Sequence, residues 1–252
     1  MNEIRGVEAV RRLVLLPGWA LGPEPLHPLA EALESRVPGL EVACYRYPAL
    51  ASRRLDVWLE VLDEEIASGC WLGGWSLGGM LAAMLAERRG RGACGLVSMA
   101  SNASFVARPG WARAMARESF DDFGAELQRT PLTALRRFAL LSARGGQDAR
   151  RLGEQLIDSL SQLPSDQASA GLSLLGQLDL REALAGLEIP QLHLFGERDV
   201  LVPASARRAI AGLLPDGGRT HLLAGAGHGF PIERTSECAD LIADFMTAGR
   251  EA

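Results

Sequence analysis

The feature that most constrains this chain is a serine set among glycines, in the stretch Gly73-Gly74-Trp75-Ser76-Leu77-Gly78-Gly79. A short apolar run precedes the stretch, and Met80 to Arg88 follows it with apolar residues at helical spacing. Strand, tight turn and helix around G-x-S-x-G predict a nucleophile elbow, in which the serine backbone is strained and its hydroxyl lies at a helix N-terminus. A small-residue turn that happens to contain serine is the alternative.

Bulk properties narrow the class of protein. A chain of 252 residues is long enough for one large domain with an insertion. Its net charge of −5 gives no indication of a nucleic-acid partner. No apolar stretch approaches the ~20 residues of a membrane span, and four scattered cysteines without a C-x-x-C pair indicate free thiols rather than disulfides or a metal site. With no leader-like pattern after Met1, we expect a cytoplasmic protein.

Apolar runs alternate with helical patterns along most of the chain. The runs that predict strands are 12–16, 40–45, 70–72, 93–100, 190–196 and 220–223. Helices are expected near 29–33, 55–67, 80–88, 204–214 and 236–248. This alternation predicts a parallel α/β sheet. Between 104 and 178 only helical stripes occur, and we therefore expect a helical lid at 104–178 inserted into a core formed by 1–103 and 179–252. The stripes are Phe120/Phe123/Leu127, Leu135/Phe138/Leu141 and Leu152/Leu156/Leu160/Leu163.

A serine nucleophile needs a histidine to take its proton and an acid to orient that histidine. In elbow enzymes the chain order is serine, acid, histidine. His228 lies in a glycine-rich loop directly after a strand, and Asp199 follows an earlier strand. Loops at the carboxyl ends of parallel strands are where such sheets place functional groups. We therefore expect Asp199 to orient His228.

The remaining histidines and acids fit these roles less well. His27 precedes the serine in the chain. His193 and His221 lie within predicted strands and are expected to be structural. Asp121 and Asp122 fall on a solvated helix. Glu197, beside Asp199, stays open as a second candidate for the acid.

An oxyanion hole needs two donors aimed at the developing charge. One is the backbone N–H after the nucleophile, that of Leu77. The loop after the first strand should supply the second, and the Trp19 N–H, following the Pro17-Gly18 turn, is the candidate.

Together these motifs resemble the α/β-hydrolase superfamily and, within it, the BioH-like pimeloyl-[acyl-carrier protein] methyl ester esterases of biotin synthesis. The likeness extends over most of the chain, including 127–130, 137–141, 147–150, 179–181, 196–203 and 228–231. It implies an α/β-hydrolase fold: a mostly parallel central sheet flanked by helices, with a helical lid inserted after the sixth strand. It also implies that Ser76, Asp199 and His228 form a catalytic triad, that Trp19 and Leu77 frame the oxyanion site, and that neither metal nor cofactor is needed.

The resemblance further implies a substrate. An acyl-carrier protein would deliver a methyl-ester acyl chain to a monomeric enzyme. Residues implied to line the substrate site are Trp19, Ser76, Leu77, Phe138, Ala139, Leu140, Leu141, Ser142 and His228. Six arginines against one aspartate between 127 and 152 make this part of the lid basic, which suits an acidic carrier. By resemblance Arg129, Arg137 and Arg150 would contact it.

One residue departs from the superfamily pattern, and other functions stay open. Many members have His-Gly before the oxyanion residue, whereas Pro17 stands here, so the side-chain hydrogen bonds of this loop must differ. A general short-chain carboxylesterase, an aminopeptidase, or a binding protein of the same fold without catalytic activity are the alternatives. Ser76 argues against a dehalogenase, which needs aspartate at that position.

Overall fold

A computed structural model describes residues 11–160 and 165–248 of the chain. The ends of the predicted core (1–10 and 249–252) and residues 161–164 of the predicted lid lie outside this description. So do the N-terminal residues on which the expectation of no leader depended, and Leu163 of one predicted helical stripe.

Six parallel strands form one sheet in the described residues. They are β1 (Arg11–Leu16), β2 (Leu40–Cys44), β3 (Trp71–Trp75), β4 (Gly95–Met99), β5 (Gln191–Gly196) and β6 (Arg219–Leu223). Their order across the sheet is β2-β1-β3-β4-β5-β6, and every adjacent pair is parallel. The predicted strands and their parallel arrangement are confirmed.

Helices connect the strands and cover both faces of the sheet. They are α1 (His27–Arg36), α2 (Leu55–Glu65), α3 (Leu77–Arg89), α8 (Arg181–Gly186), α9 (Ser205–Ala211), α10 (Phe230–Glu233) and α11 (Thr235–Ala248). The central strand β4 is nearly all apolar because both of its faces are buried: Leu96 belongs to one hydrophobic cluster and Val97 to the other. The edge strands β2 and β6 are partly exposed.

Between β4 and β5 lies the segment predicted as an insertion, residues 104–178, which is called the inserted segment below. It contains α4 (Arg117–Arg129), α5 (Pro131–Ala143), α6 (Ala149–Asp158) and α7 (Ser165–Gln177). The predicted stripe of α4 is buried as expected, at Phe120, Phe123 and Leu127. The predicted stripe through Leu160 extends too far, because α6 ends at Asp158 and Leu160 instead forms an isolated bridge with Leu21.

The position of the insertion differs in one detail from the expectation. In the described residues the inserted segment follows the fourth strand rather than the sixth, because only four strand-forming runs lie between residues 11 and 103. Its two ends meet, since the Leu180 N–H donates to the Ala103 carbonyl at 2.7 Å.

Candidate active site

Ser76 occupies the sharp turn between β3 and α3. Its backbone has φ of 56° and ψ of −119°, a conformation that costs a non-glycine residue energy and persists only when its surroundings enforce it. Two hydrogen bonds do so: the Ser76 N–H donates to the Met99 carbonyl, and the Ser101 hydroxyl donates to the Ser76 carbonyl, each at 2.8 Å. The elbow predicted from the sequence is therefore formed.

The glycines of the elbow are required by close backbone contacts. A Cβ on Gly74 would lie 2.3 Å from the Gly78 carbonyl carbon. A Cβ on Gly78 would lie 2.1 Å from the Leu16 carbonyl oxygen and 2.5 Å from that of Pro17. Any side chain at these positions would push α3 away from β3 and β1, so the G-x-S-x-G spacing follows from packing.

His228 and Asp199 are joined at the carboxyl edge of the sheet. His228 Nδ1 and Asp199 Oδ2 lie 2.7 Å apart, and both side chains are almost completely buried. The other carboxylate oxygen, Oδ1, accepts the N–H groups of Leu201 at 2.8 Å and Val202 at 2.9 Å. A carboxylate fixed by two backbone donors is well placed to set the tautomer of the imidazole, leaving Nε2 to act as a base.

Two further buried atoms belong to the predicted triad. Ser76 Oγ and His228 Nε2 are both buried, and neither has a hydrogen-bond partner among the described residues. Buried polar atoms are paired in most proteins, and unpaired ones often serve catalysis. The hydrogen bond between a nucleophile and its base is frequently loose without substrate. The two atoms are not hydrogen-bonded to each other, and in the predicted triad they are the pair between which the proton would move.

Trp75 and Ser101 support the site, and sequence reasoning missed both. The Trp75 indole N–H donates to the His228 carbonyl at 3.0 Å, tying the nucleophile strand to the histidine loop. Ser101 holds the elbow as described above. The position of Trp75, directly before the serine, was a usable signal; nothing local marks Ser101, which acts through a carbonyl 25 residues away in sequence.

Trp19 and Leu77 are the predicted oxyanion donors, and they lie in the turn after β1 and at the start of α3. Leu77 is the first residue of α3, where backbone N–H groups lack partners within the helix. Trp19 belongs to a turn closed by a hydrogen bond from the Leu21 N–H to the Gly18 carbonyl, and Ala20 in that turn has φ of 60°. The Trp19 indole N–H donates to the Ala168 carbonyl of α7 at 2.9 Å, so the side chain binds the inserted segment.

An aromatic cluster covers this side of the site. The Trp19 ring makes edge contacts with Phe138 at 4.8 Å and Phe123 at 5.6 Å between ring centroids. Of the residues expected to line the acyl pocket, Phe138, Ala139 and Ser142 are buried and Leu141 is half-buried. Leu140 differs: 54% of its surface is exposed, and its side chain faces α6 at Gly153. Five consecutive helical residues cannot face one pocket, because each is rotated by about 100° from the last.

The rival histidines and acids lie elsewhere. His193 is buried, its Nδ1 is 2.6 Å from the Ser98 hydroxyl, and burial lowers its pKa to about 4, so it is a structural residue as expected. His221 is exposed on the edge strand β6 rather than packed within the sheet. Glu197 accepts the Gly225 N–H at 2.7 Å and so braces the histidine loop from outside. His27, Asp121 and Asp122 are exposed on helices.

The three arginines expected to bind a carrier are exposed on the inserted segment. Arg137 pairs with Glu126, and Arg150 pairs with Glu154 at 3.1 Å, with 89% of its side chain exposed. Arg129 lies in the last turn of α4. Exposed ion pairs of this kind contribute little to stability, so these arginines are available to a partner at small cost.

Within residues 11–160 and 165–248, no cluster of three or more histidine, cysteine or acidic side chains could hold a metal ion. None of the helices described in these ranges is long and apolar enough to cross a membrane.

The sheet order, the elbow and the buried acid–histidine pair define the class of protein. The chain belongs to the α/β hydrolase family, whose pattern it matches over residues 13–243. Solved structures agree in fold: a bromoperoxidase from Bacillus anthracis superposes with a TM-score of 0.82 at 17% identity, covering 94% of this chain and 92% of that one. The enol-lactonase from Burkholderia xenovorans LB400 gives 0.77 at 18% identity, covering 95% and 92%.

Closer relatives by sequence are esterases. The pimeloyl-[acyl-carrier protein] methyl ester esterase of Xanthomonas oryzae pv. oryzae is 35% identical over 250 residues, covering 94% of this chain and 95% of the relative. The esterase of the same name from Aromatoleum aromaticum is 32% identical over 250 residues, covering 93% and 97%. The biotin biosynthesis bifunctional protein BioHC of Cellvibrio japonicus is 33% identical over 236 residues, covering 92% of this chain. The chain spans only 47% of that bifunctional relative's length.

Proposed function

We propose that this chain is a serine carboxylesterase that hydrolyses the methyl ester of pimeloyl-[acyl-carrier protein] in biotin biosynthesis. The observation that carries the mechanism is the buried His228–Asp199 hydrogen bond, with His228 Nε2 and Ser76 Oγ both left unpartnered. The substrate rests on relatives of that name, which match this chain over nearly its whole length. No metal or organic cofactor enters the proposal.

In the acylation step His228 Nε2 takes the Ser76 hydroxyl proton as the serine oxygen attacks the ester carbonyl. The Trp19 and Leu77 backbone N–H groups stabilise the oxyanion. Asp199 holds the imidazole through Nδ1 and stabilises its positive charge. His228 then gives its proton to the departing methoxide, and methanol leaves an acyl-enzyme at Ser76.

In the second step His228 removes a proton from water, which attacks the acyl-enzyme at the same oxyanion site. Collapse of this intermediate returns the proton to Ser76 and releases the free carboxylate. The helix N-terminus beneath Ser76 favours negative charge in both steps.

We assign the inserted segment, residues 104–178, as a lid that carries the acyl pocket and the docking surface. Phe138, Leu141 and Ser142 lie three and four residues apart on α5, which gives them a common face for the acyl chain. The basic surface including Arg129, Arg137 and Arg150 would receive the acidic carrier and orient its arm. The proposal includes a monomer in the cytoplasm, where such a carrier would be met.

The test compares two substrates on purified protein. We expect methanol release from a methyl-pimeloyl carrier protein at a kcat/KM well above that for a p-nitrophenyl ester, and loss of both activities in Ser76→Ala. A fluorophosphonate probe should label the wild type at Ser76 and leave Ser76→Ala unlabelled.

Each alternative has its own outcome in these measurements. Hydrolysis of p-nitrophenyl esters without activity on the carrier substrate would indicate a general esterase. Folded wild-type protein that neither turns over any ester nor reacts with the probe would indicate a binding protein. Rescue of a biotin-requiring strain by the wild type, and not by Ser76→Ala, would place the activity in its pathway.

A further inference from the structure

The loop that presents Trp19 is held by a side chain from another part of the sheet. The Tyr47 hydroxyl donates to the Pro17 carbonyl at 3.1 Å. Tyr47 lies just beyond β2, which pairs with β1, so it reaches the loop that follows β1 from the neighbouring strand. Proline has no N–H and no polar side chain, so the carbonyl is the only polar group that residue 17 offers.

The same carbonyl also touches the nucleophile elbow. A Cβ on Gly78 would lie 2.5 Å from the Pro17 oxygen, so the Pro17–Gly18 peptide packs directly on the first turn of α3. Leu77, one of the two proposed oxyanion donors, belongs to that turn. Because a peptide unit is planar, holding its oxygen fixes the direction of the whole unit. The next peptide carries the Trp19 N–H, the other donor.

The Tyr47 ring is itself held in place. It makes edge contacts with Tyr45 at 5.7 Å and Trp58 at 5.5 Å between ring centroids. The Trp58 indole donates to the Ser52 carbonyl at 2.7 Å, and Gln167 of α7 donates to the Pro48 carbonyl at 2.8 Å. Burial raises the pKa of Tyr47 well above its usual range, so the phenol stays a donor at neutral and alkaline pH.

We propose that Tyr47 is a positioning residue of the esterase reaction: its hydroxyl fixes the Pro17 carbonyl and thereby aims the Trp19 N–H at the oxyanion. The inference rests on the proposed serine-esterase mechanism. The hydrogen bond acts on the charge that develops in the transition state rather than on the bound ester.

Tyr47→Phe removes the hydroxyl and leaves the packed ring. We expect kcat for p-nitrophenyl butyrate to fall about tenfold, as for loss of one hydrogen bond, and well short of the ~10²–10³ that loss of a donor itself costs. KM should stay within twofold. A trifluoromethyl ketone, whose adduct with Ser76 places an oxyanion in the hole, should bind about tenfold more weakly, whereas a carboxylate product should bind equally well.

Tyr45→Phe is the matched control. It removes the hydroxyl of Tyr45, the aromatic residue in contact with Tyr47. The Tyr45 hydroxyl donates to the exposed Glu65 rather than to the loop. The control should retain wild-type kcat and inhibitor affinity. All measurements are made well below the melting temperature of each variant, so that a purely structural loss appears in stability and leaves kcat unchanged.

Three results would overturn the inference. One is kcat and ketone affinity in Tyr47→Phe within twofold of wild type. Another is an equal loss in Tyr45→Phe. The third is a rise in KM with kcat unchanged. An active wild type with an unaffected Tyr47→Phe refutes the role of Tyr47 alone, whereas a folded wild type inactive on every ester refutes the proposed function and this inference with it.

Discussion

Replacing Asp199 with asparagine tests the acid of the triad with little change in shape. Asp199 Oδ1 accepts two backbone N–H groups, from Leu201 and Val202, and Oδ2 lies 2.7 Å from His228 Nδ1. An asparagine side chain has one oxygen and one NH₂ group, so only one of these two environments can keep an acceptor.

The hydrogen bonds around residue 199 decide which way the asparagine amide is turned. Turning the NH₂ toward Leu201 and Val202 would leave two buried donors without an acceptor, at about 1–3 kcal/mol each. The oxygen therefore stays with the backbone and the NH₂ faces Nδ1. A neutral imidazole must then accept at Nδ1 and carry its proton on Nε2, the atom that should take the proton of Ser76.

The expected result is a loss of about 10⁴-fold in kcat, the effect of the wrong tautomer in a Ser-His-Asp triad. That factor corresponds to about 5.4 kcal/mol of transition-state free energy. The two backbone hydrogen bonds survive, so the free energy of unfolding should change far less. Steady-state hydrolysis of a methyl ester gives kcat, and urea titration gives the stability.

Glu197→Gln is the matched control on the same loop. Glu197 was the rival acid, and it accepts the Gly225 N–H, which an amide oxygen can still accept. Its kcat should remain within a few-fold of wild type. The reasoning is refuted if Asp199→Asn keeps more than about a tenth of wild-type kcat, or if Glu197→Gln loses as much as Asp199→Asn.

Three further substitutions test packing and burial. Gly171→Ala should destabilise the chain by about 1–3 kcal/mol in urea titration, because its Cβ would lie 2.7 Å from the Trp19 ring. Gly124→Ala, whose Cβ would meet its nearest neighbour at 3.8 Å, should stabilise it by about 0.5–1 kcal/mol. Equal changes in the free energy of unfolding for the two glycine variants would contradict this reasoning. Burial lowers the pKa of His193 to about 4, below the ~6.5 of an unfolded histidine. As the pH falls from 7 to 5, His193 therefore takes up a proton in the unfolded chain before it does so in the folded one. Stability should therefore fall by about 2 kcal/mol between pH 7 and 5. His193→Gln should lack that share of the loss; identical pH profiles would refute it.

Much of the fold could be predicted from sequence because its signals are local. A strand buried on both faces is a continuous apolar run, and the runs at residues 12–16 and 93–100 coincide with β1 and β4. The elbow was equally visible, because the G-x-S-x-G spacing is itself local and Gly74 is fixed by its contact with Gly78, whereas Gly78 is fixed by the distant Leu16 and Pro17 carbonyls.

Helix ends and short helices were harder to predict. The apolar stripe through Leu160 has helical spacing, yet α6 ends at Asp158, and Leu160 pairs instead with Leu21, far away in sequence. The four-residue helix α10 gave no periodic signal, because a pattern of period 3.6 needs at least two turns to be recognised.

The candidate site was predictable where chain order and loop position constrain it, at Asp199 and His228. The supporting contacts were not. Tyr47, Trp75 and Ser101 act through backbone carbonyls distant in sequence, at Pro17, His228 and Ser76. Any residue has a carbonyl, so such partners leave no trace in residue type. Leu140 stays a prediction as a substrate-binding residue; its exposed side chain faces α6, because consecutive helical residues are rotated from one another by about 100°.

The inserted segment leaves and re-enters the sheet at one point. Its ends are joined by the Leu180–Ala103 hydrogen bond, and β4 and β5, which flank it, are adjacent in the sheet. The proposed nucleophile, acid and base all lie outside this segment. Evolution or a designer can therefore replace the whole segment and change the substrate preference without rebuilding the proposed catalytic residues. The new segment must meet two conditions at Trp19: a carbonyl in the place of that of Ala168, and a residue as small as Gly171 against the indole ring.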